Sequence, residues 1–234
     1  MSNMKIGGLQ KLTLLDFPGK VACTVFTVGC NFKCPFCHNA PLVTHTAGTP
    51  TMSEEEFFSF LKKRQGILDG VAITGGEPTL MSGLWDFIAR IKDMGFLVKL
   101  DTNGTNPELL EALINNKMID YVAMDIKNSL EKYAITSGLP ESYDISKIKA
   151  SASILMKGTV DFEFRTTLVS PYHTEEDFES IGKWLAGDEK FYLQNFVDSG
   201  DLVGTGVRGV SYDYATKLLA KLQPFITNAQ LRGY

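Results

Sequence analysis

The sequence contains no apolar run near the roughly 18 residues that a membrane-crossing helix needs, so no membrane association is expected. It also lacks any long block of like charge. Its 23 basic and 27 acidic residues give a net charge of -4, and no polybasic patch is present to attract nucleic acid or anionic lipid. No basic stretch followed by an apolar one opens the chain, so no secretory signal is read. With only four cysteines and no such signal, a disulfide framework is not expected either. Fixed-period repeats and low-complexity tracts are absent, which argues against a second domain. These absences predict a cytoplasmic protein with one domain over residues 1–234, an N-terminal extension over about 1–20 and a C-terminal one over about 198–234. At 234 residues and 44% hydrophobic content, the chain can bury one substantial core.

Three of the four cysteines fall within eight residues, Cys30, Cys34 and Cys37 in GCNFKCPFCHN. A cubic 4Fe-4S cluster is normally held by four thiolates, so a compact set of three leaves one iron open to a substrate that can chelate it. The open position of catalytic zinc follows the same logic, but a zinc site here fits poorly, because His38 adjoins Cys37 too closely to be the fourth ligand. Cys23 lies in the apolar run VACTVFTV and reads as a buried strand residue.

Short β-rich runs alternate with helical ones, which predicts a parallel sheet wrapped by helices. Six buried strands are expected, in VACTVFTV, GVAIT, FLVKLDTNG, DYVAMDIK, DFEFRTTLV and FYLQNFV. Helices are expected after a capping box at Ser53 and Glu56, around GLWDFIARIKDM and PELLEALINN, within NSLEKYAI and ISKIKASASIL, and in TEEDFESIGKWLA and YDYATKLLAKL. Six βα units make a partial barrel with an open side through which a large substrate can enter. The cysteine loop follows the first of the six strands, at the end where βα barrels build their sites. The stretch DSGDLVGTGVRGV (198–210) reads as a mobile loop, and LRGY (231–234) as a final strand edge.

The cysteine triplet with Phe36 before its last member, the GGEP turn (Gly75 to Pro78) and the six βα units together resemble the radical S-adenosylmethionine (SAM) superfamily. IGGLQKLTLLDFPGKVACTVFTVGCNFKCPFCHN is similar to the opening of activating enzymes for glycyl-radical proteins, most of all the longer anaerobic ribonucleoside-triphosphate reductase activating protein. The resemblance implies a partial (β/α)6 TIM-like barrel of the α/β class. It also implies a 4Fe-4S cluster on Cys30, Cys34 and Cys37, and SAM on the fourth iron. The implied products are methionine and a 5'-deoxyadenosyl radical, which abstracts hydrogen from a glycine of a partner enzyme.

The same resemblance distributes the remaining polar residues around SAM. Gly75 and Gly76 let backbone approach the ligand, and Glu77 faces its ammonium; read without the resemblance, the turn is ordinary βα punctuation. Asp101 and Asp125 are placed on the ammonium side with a possible monovalent cation, Lys127 on the carboxylate, and Asn103 and Arg165 nearby. Phe36 offers its carbonyl to adenine, Asn39 reaches SAM, and Gln194 replaces the ribose-binding histidine of the pyruvate formate-lyase activators. That replacement argues against assigning the chain to those activators. His38 is expected to cap its loop, and His45 and His173 to be exposed loop residues. No second cysteine cluster is present, so flavodoxin or ferredoxin is implied as electron donor. Two other readings stay open: a radical SAM enzyme acting on a small molecule, as in 7-carboxy-7-deazaguanine synthesis, and a non-catalytic iron-sulfur carrier or scaffold.

Overall fold

The computed structural model describes residues 4–44, 49–198 and 200–234; His45 lies outside the described residues. The chain opens with β1 (Ile6–Thr13), which folds back antiparallel on β2 (Ala22–Thr27). After β2 come the cysteine loop, the short α1 (Ala40–Thr44) and α2 (Glu54–Lys62). Four strand-helix repeats follow: β3 (Gly70–Gly75) with α3 (Leu84–Asp93), β4 (Leu97–Thr102) with α4 (Pro107–Asn115), β5 (Tyr121–Asp125) with α5 (Tyr133–Thr136) and α6 (Ser146–Leu155), and β6 (Asp161–Ser170) with α7 (Glu175–Trp184). The chain then forms β7 (Phe191–Asn195), β8 (Arg208–Gly209), α8 (Tyr212–Leu222) and β9 (Gln230–Arg232).

The sheet runs β1-β2-β3-β4-β5-β6-β7-β9, and every neighbouring pair from β2 to β9 is parallel. Strands β2 to β7 are the six expected strands, and their C-terminal ends therefore share one rim. β1 and β9 occupy the two edges and do not pair with each other, so the architecture is a partial (β/α)6 TIM-like barrel with an open side.

Local chemistry sets the helix boundaries. Ser53 Oγ accepts from the Glu56 N–H at 3.1 Å and Glu56 Oε2 accepts from the Ser53 N–H at 2.9 Å, the reciprocal cap expected from the sequence. α2 then turns Phe57 and Leu61 into the core, while the half-buried Phe58 packs edge-on against Phe57 and Phe87 with Arg90 over its ring. Asn106 caps α4 ahead of Pro107, whose missing N–H costs nothing at that position. The long apolar strands β3 and β5 are buried along most of their length, as a sheet covered on both faces requires.

Within the N-terminal extension, β1 hydrogen-bonds along β2 and Ile6 bridges to Met52, so this segment joins the sheet. Two expectations change. The helix expected within NSLEKYAI shrinks to a single turn at Tyr133–Thr136, because the Asn128 side chain ties the preceding loop to Thr136 Oγ1 at 2.8 Å and to the Tyr172 carbonyl at 3.1 Å. The glycine-rich stretch 198–210 is pinned at two points: the Gly204 N–H donates to the Pro35 carbonyl at 2.9 Å, and β8 pairs with Val169 and Ser170 of β6.

Candidate active site

The cysteine loop leaves β2 through Gly29, whose positive φ of 102° suits glycine, and main-chain bonds shape it. The Gly29 N–H donates to the Leu42 carbonyl at 2.8 Å, and the Gly29 carbonyl accepts from the Glu77 N–H at 2.8 Å. The Lys33 N–H donates to the Ser137 carbonyl at 3.0 Å, and Pro35 accepts from Gly204. Two glycines allow this closeness. A Cβ on Gly76 would stand 2.0 Å from the Gly29 oxygen, and one on Gly138 would stand 2.1 Å from the Lys33 oxygen.

The loop forms one wall of a cavity of about 430 Å³. Cys30, Cys34 and Cys37 line it together with Phe36 and Asn39. Opposite them stand Gly75, Gly76 and Glu77 after β3, then Asp101 and Asn103 at the end of β4. Asp125, Lys127, Arg165 and Gln194 complete the expected set on the same cavity. Parallel strands explain the convergence, because residues at or after the C-terminal ends of five strands, with Arg165 midway along β6 in register with Asp125, meet at one rim.

Burial pushes the Cys34 thiol up to about 12 and the Cys30 thiol up to about 11, and raises Cys37 in the same way. Loading a metal centre must therefore displace their protons. Among the described residues, no three His, Cys, Asp or Glu groups converge closely enough to share a single metal ion. A cubic cluster asks for something different, one thiolate on each of three irons, and three thiols spread along one cavity wall fit that demand.

The acids and bases of the rim form a continuous ion network. Arg165 bridges Asp125 Oδ1 at 3.0 Å and Asp101 Oδ2 at 3.2 Å. Lys99 pairs with Asp101, and Lys127 reaches Asp125 Oδ2 at 2.9 Å. Burial works against the Asp125 carboxylate, yet Lys127 and Arg165 hold it far below the usual carboxylate range. Asp101 is likewise held down by Arg165 and Lys99 against its burial. Burial also opposes the Lys127 ammonium, and Asp125 more than restores it.

Several side chains take parts the sequence reading did not give them. Glu77 is 1% exposed, and its carboxylate on the cavity wall is also held by four donors: Oε1 accepts from the Thr79 N–H at 3.1 Å, the Thr79 hydroxyl at 2.6 Å and the Thr102 hydroxyl at 2.8 Å, and Oε2 accepts from the Asn103 N–H at 2.7 Å. It locks the GGEP turn to the LDTNG turn. Asn39 donates to the Gly75 carbonyl at 2.9 Å, bracing the glycine pair. Asn103 turns its amide toward Cys30 and Asn31. His38 does not cap its loop; its ring stacks on Phe196 with centroids 5.3 Å apart. His173 is buried, contrary to the expected exposed loop position. Its Nδ1 accepts from the Val169 N–H at 3.0 Å, and Nε2–H donates to the Lys127 carbonyl at 2.8 Å, so both ring nitrogens are satisfied with the imidazole neutral.

The sequence reading missed Lys99, Glu163 and Arg232. Lys99 and Glu163 are each 1% exposed, and Arg232 of β9 grips Glu163 through two bonds of 2.8 and 2.9 Å while also lining the cavity. A signal was present. Lys99 and Asp101, like Glu163 and Arg165, stand two residues apart within a strand and so point to the same face, the barrel interior.

A half-open βα barrel whose rim carries three thiols and a buried acid-base network is the architecture of an iron-sulfur enzyme that holds a further ligand at its cluster. The chain belongs to the radical SAM superfamily, whose family model matches residues 24–185. It is 39% identical over 195 residues, 82% of this chain and 79% of the other, to a Methanocaldococcus jannaschii protein described provisionally as a glycyl-radical enzyme activating enzyme. It is 31% identical over 129 residues to the pyruvate formate-lyase-activating enzyme of Clostridium pasteurianum, a match spanning 53% of this chain and 52% of that enzyme. A radical SAM methyltransferase from Sphaerobacter thermophilus shares the fold, with a TM-score of 0.72 at 14% identity over 94% of this chain and 68% of that one. Membership makes the chain a radical SAM enzyme, with a 4Fe-4S cluster and SAM as cofactors. No helix among the described residues is long and apolar enough to cross a membrane.

Proposed function

We propose that this radical SAM enzyme installs a glycyl radical on a partner enzyme, and that the partner is an anaerobic ribonucleoside-triphosphate reductase. The observation that carries the activase reading is the 39% identity, across four-fifths of the chain, to the relative described by that activity. The open side of the barrel supports it, since a glycine loop of a protein substrate needs a gap to enter.

In this reading Cys30, Cys34 and Cys37 hold the cluster. The backbone of Gly75 and Gly76, braced by Asn39, lies along the SAM methionyl group, with Lys127 toward its carboxylate, Phe36 toward adenine and Gln194 toward ribose. When bound, cluster and SAM supply one-electron cleavage of the sulfonium and a 5'-deoxyadenosyl radical that abstracts hydrogen. Phe32 and Phe36, which line the cavity, shield that space from water. The electron comes from flavodoxin or ferredoxin. Asp101 and Asp125 are already shared among Lys99, Arg165 and Lys127, which disfavours a monovalent cation between them.

The test is electron paramagnetic resonance on reconstituted protein mixed with SAM, dithionite and the candidate reductase. A glycine-centred doublet on the partner is the expected result. If every candidate partner stays silent while a small metabolite consumes SAM stoichiometrically, the activase assignment is wrong.

A further inference from the structure

Around Cys30 the structure holds a closed ring of hydrogen bonds. Asn103 Nδ2 donates to Asn31 Oδ1 at 2.8 Å, Asn31 Nδ2 donates to Thr105 Oγ1 at 2.9 Å, and Thr105 Oγ1 donates back to Asn103 Oδ1 at 2.7 Å. The Thr105 N–H also donates to Asn103 Oδ1, at 3.1 Å. Asn103 and Thr105 are buried, and the Asn103 backbone is fastened to Glu77. The amide is therefore fixed in orientation. With Oδ1 occupied by Thr105, Nδ2 must face the other way, and there it lies 3.9 Å from Cys30 Sγ. The Phe32 N–H approaches the same sulfur at 3.3 Å. No hydrogen bond from another side chain reaches Cys34 or Cys37 among the described residues.

We propose that the Asn103–Asn31–Thr105 ring positions a hydrogen-bond donor on Cys30 Sγ and so raises the reduction potential of the cluster, making Asn103 a tuning residue and not a SAM ligand. The proposal rests on the cluster assignment of the preceding subsection. The physics is one of charge: reduction adds an electron whose density spreads onto the ligand sulfurs, and a donor aimed at one of them stabilises the reduced state more than the oxidised one. Asn31 and Thr105 act through Asn103. They hold its amide the right way round.

The experiment is a redox titration of the SAM-free, iron-loaded protein, following the reduced cluster by its paramagnetic signal, in wild type and in Asn103→Ala, Asn103→Asp and Asn31→Ala. At a fixed poise, loss of the donor should lower the reduced-to-oxidised ratio about five- to tenfold in Asn103→Ala, in line with the net worth of one typical intramolecular hydrogen bond. A tenfold change reads as a 59 mV shift for one electron. Asn103→Asp keeps the contacts to Thr105 and replaces the donor with negative charge, so it should shift further in the same direction. Asn31→Ala should shift less. SAM affinity, measured separately by calorimetry, should stay within twofold of wild type in Asn31→Ala. Potentials equal to wild type in all three variants would overturn the proposal, as would a SAM affinity that collapses in Asn31→Ala while its potential stays fixed. A wild-type protein that retains no cluster would instead overturn the cluster assignment.

Discussion

Replacing Arg165 by Met tests whether the ion network at the rim holds the site together. Arg165 is a side chain of low exposure, 14%, between two carboxylates, with contacts of 3.0 and 3.2 Å. Removing one partner of a buried ion pair costs about 3–5 kcal/mol, chiefly because the other charge is left without compensation. Here each acid keeps one lysine, Lys99 on Asp101 and Lys127 on Asp125, so the cost should fall near or just below that range, at about 2–3 kcal/mol. For a chain of this size such a loss lowers Tm by about 4–12 °C. Urea unfolding of wild type, Arg165→Met, Asp101→Asn and the double variant gives the cycle, and a coupling of about 1–2 kcal/mol between the two positions is expected. Arg165→Lys should be intermediate, since an ammonium cannot fork to both acids. Because the pairs are buried, the loss should persist in high salt. A loss below about 1 kcal/mol, an additive cycle, or a loss that disappears with salt would each refute the reasoning.

Two further predictions concern titration and ligation. Asp188 is buried with Oδ2 unbonded, and burial pushes its carboxyl up to about 6 from 3.8. A raised folded-state value means its stabilising contribution is full below about pH 4 and is lost as pH rises to about 6, by about 3 kcal/mol at most. The stability of Asp188→Asn relative to wild type should therefore grow across that window, and a difference independent of pH in urea titrations would contradict it. Cys34→Ala should abolish both brown colour and SAM cleavage, whereas Cys23→Ala, altering a thiol buried on β2, should leave both intact. A full cubic cluster in Cys34→Ala would end the ligand assignment.

The parts of this molecule legible in the sequence are those written in local patterns. Apolar runs gave β2 to β7, Ser53 and Glu56 gave the start of α2, and cysteine spacing with GGEP gave the rim. What escaped depends on contacts between distant segments. His173 looked like a loop residue because nothing near it in sequence shows that the Val169 N–H and the Lys127 carbonyl bracket its ring. The part Glu77 plays in locking two turns together was hidden because two of its four donors lie in another βα loop. Arg232 reaches Glu163 from 69 residues away. Segment 198–210 is rich in glycine, which signals freedom, yet a single main-chain bond to Pro35 and two residues of strand are enough to hold it.

The main-chain bonds on the cysteine loop bear on how the enzyme is assembled. Ordering a residue costs about 1–2 kcal/mol of backbone entropy, and in small zinc domains that cost is met by the metal itself, which is why they unfold without it. Here Leu42, Glu77, Ser137 and Gly204 fix the loop through peptide groups that no thiolate chemistry touches. Little of the cluster's binding energy goes to shaping its own seat.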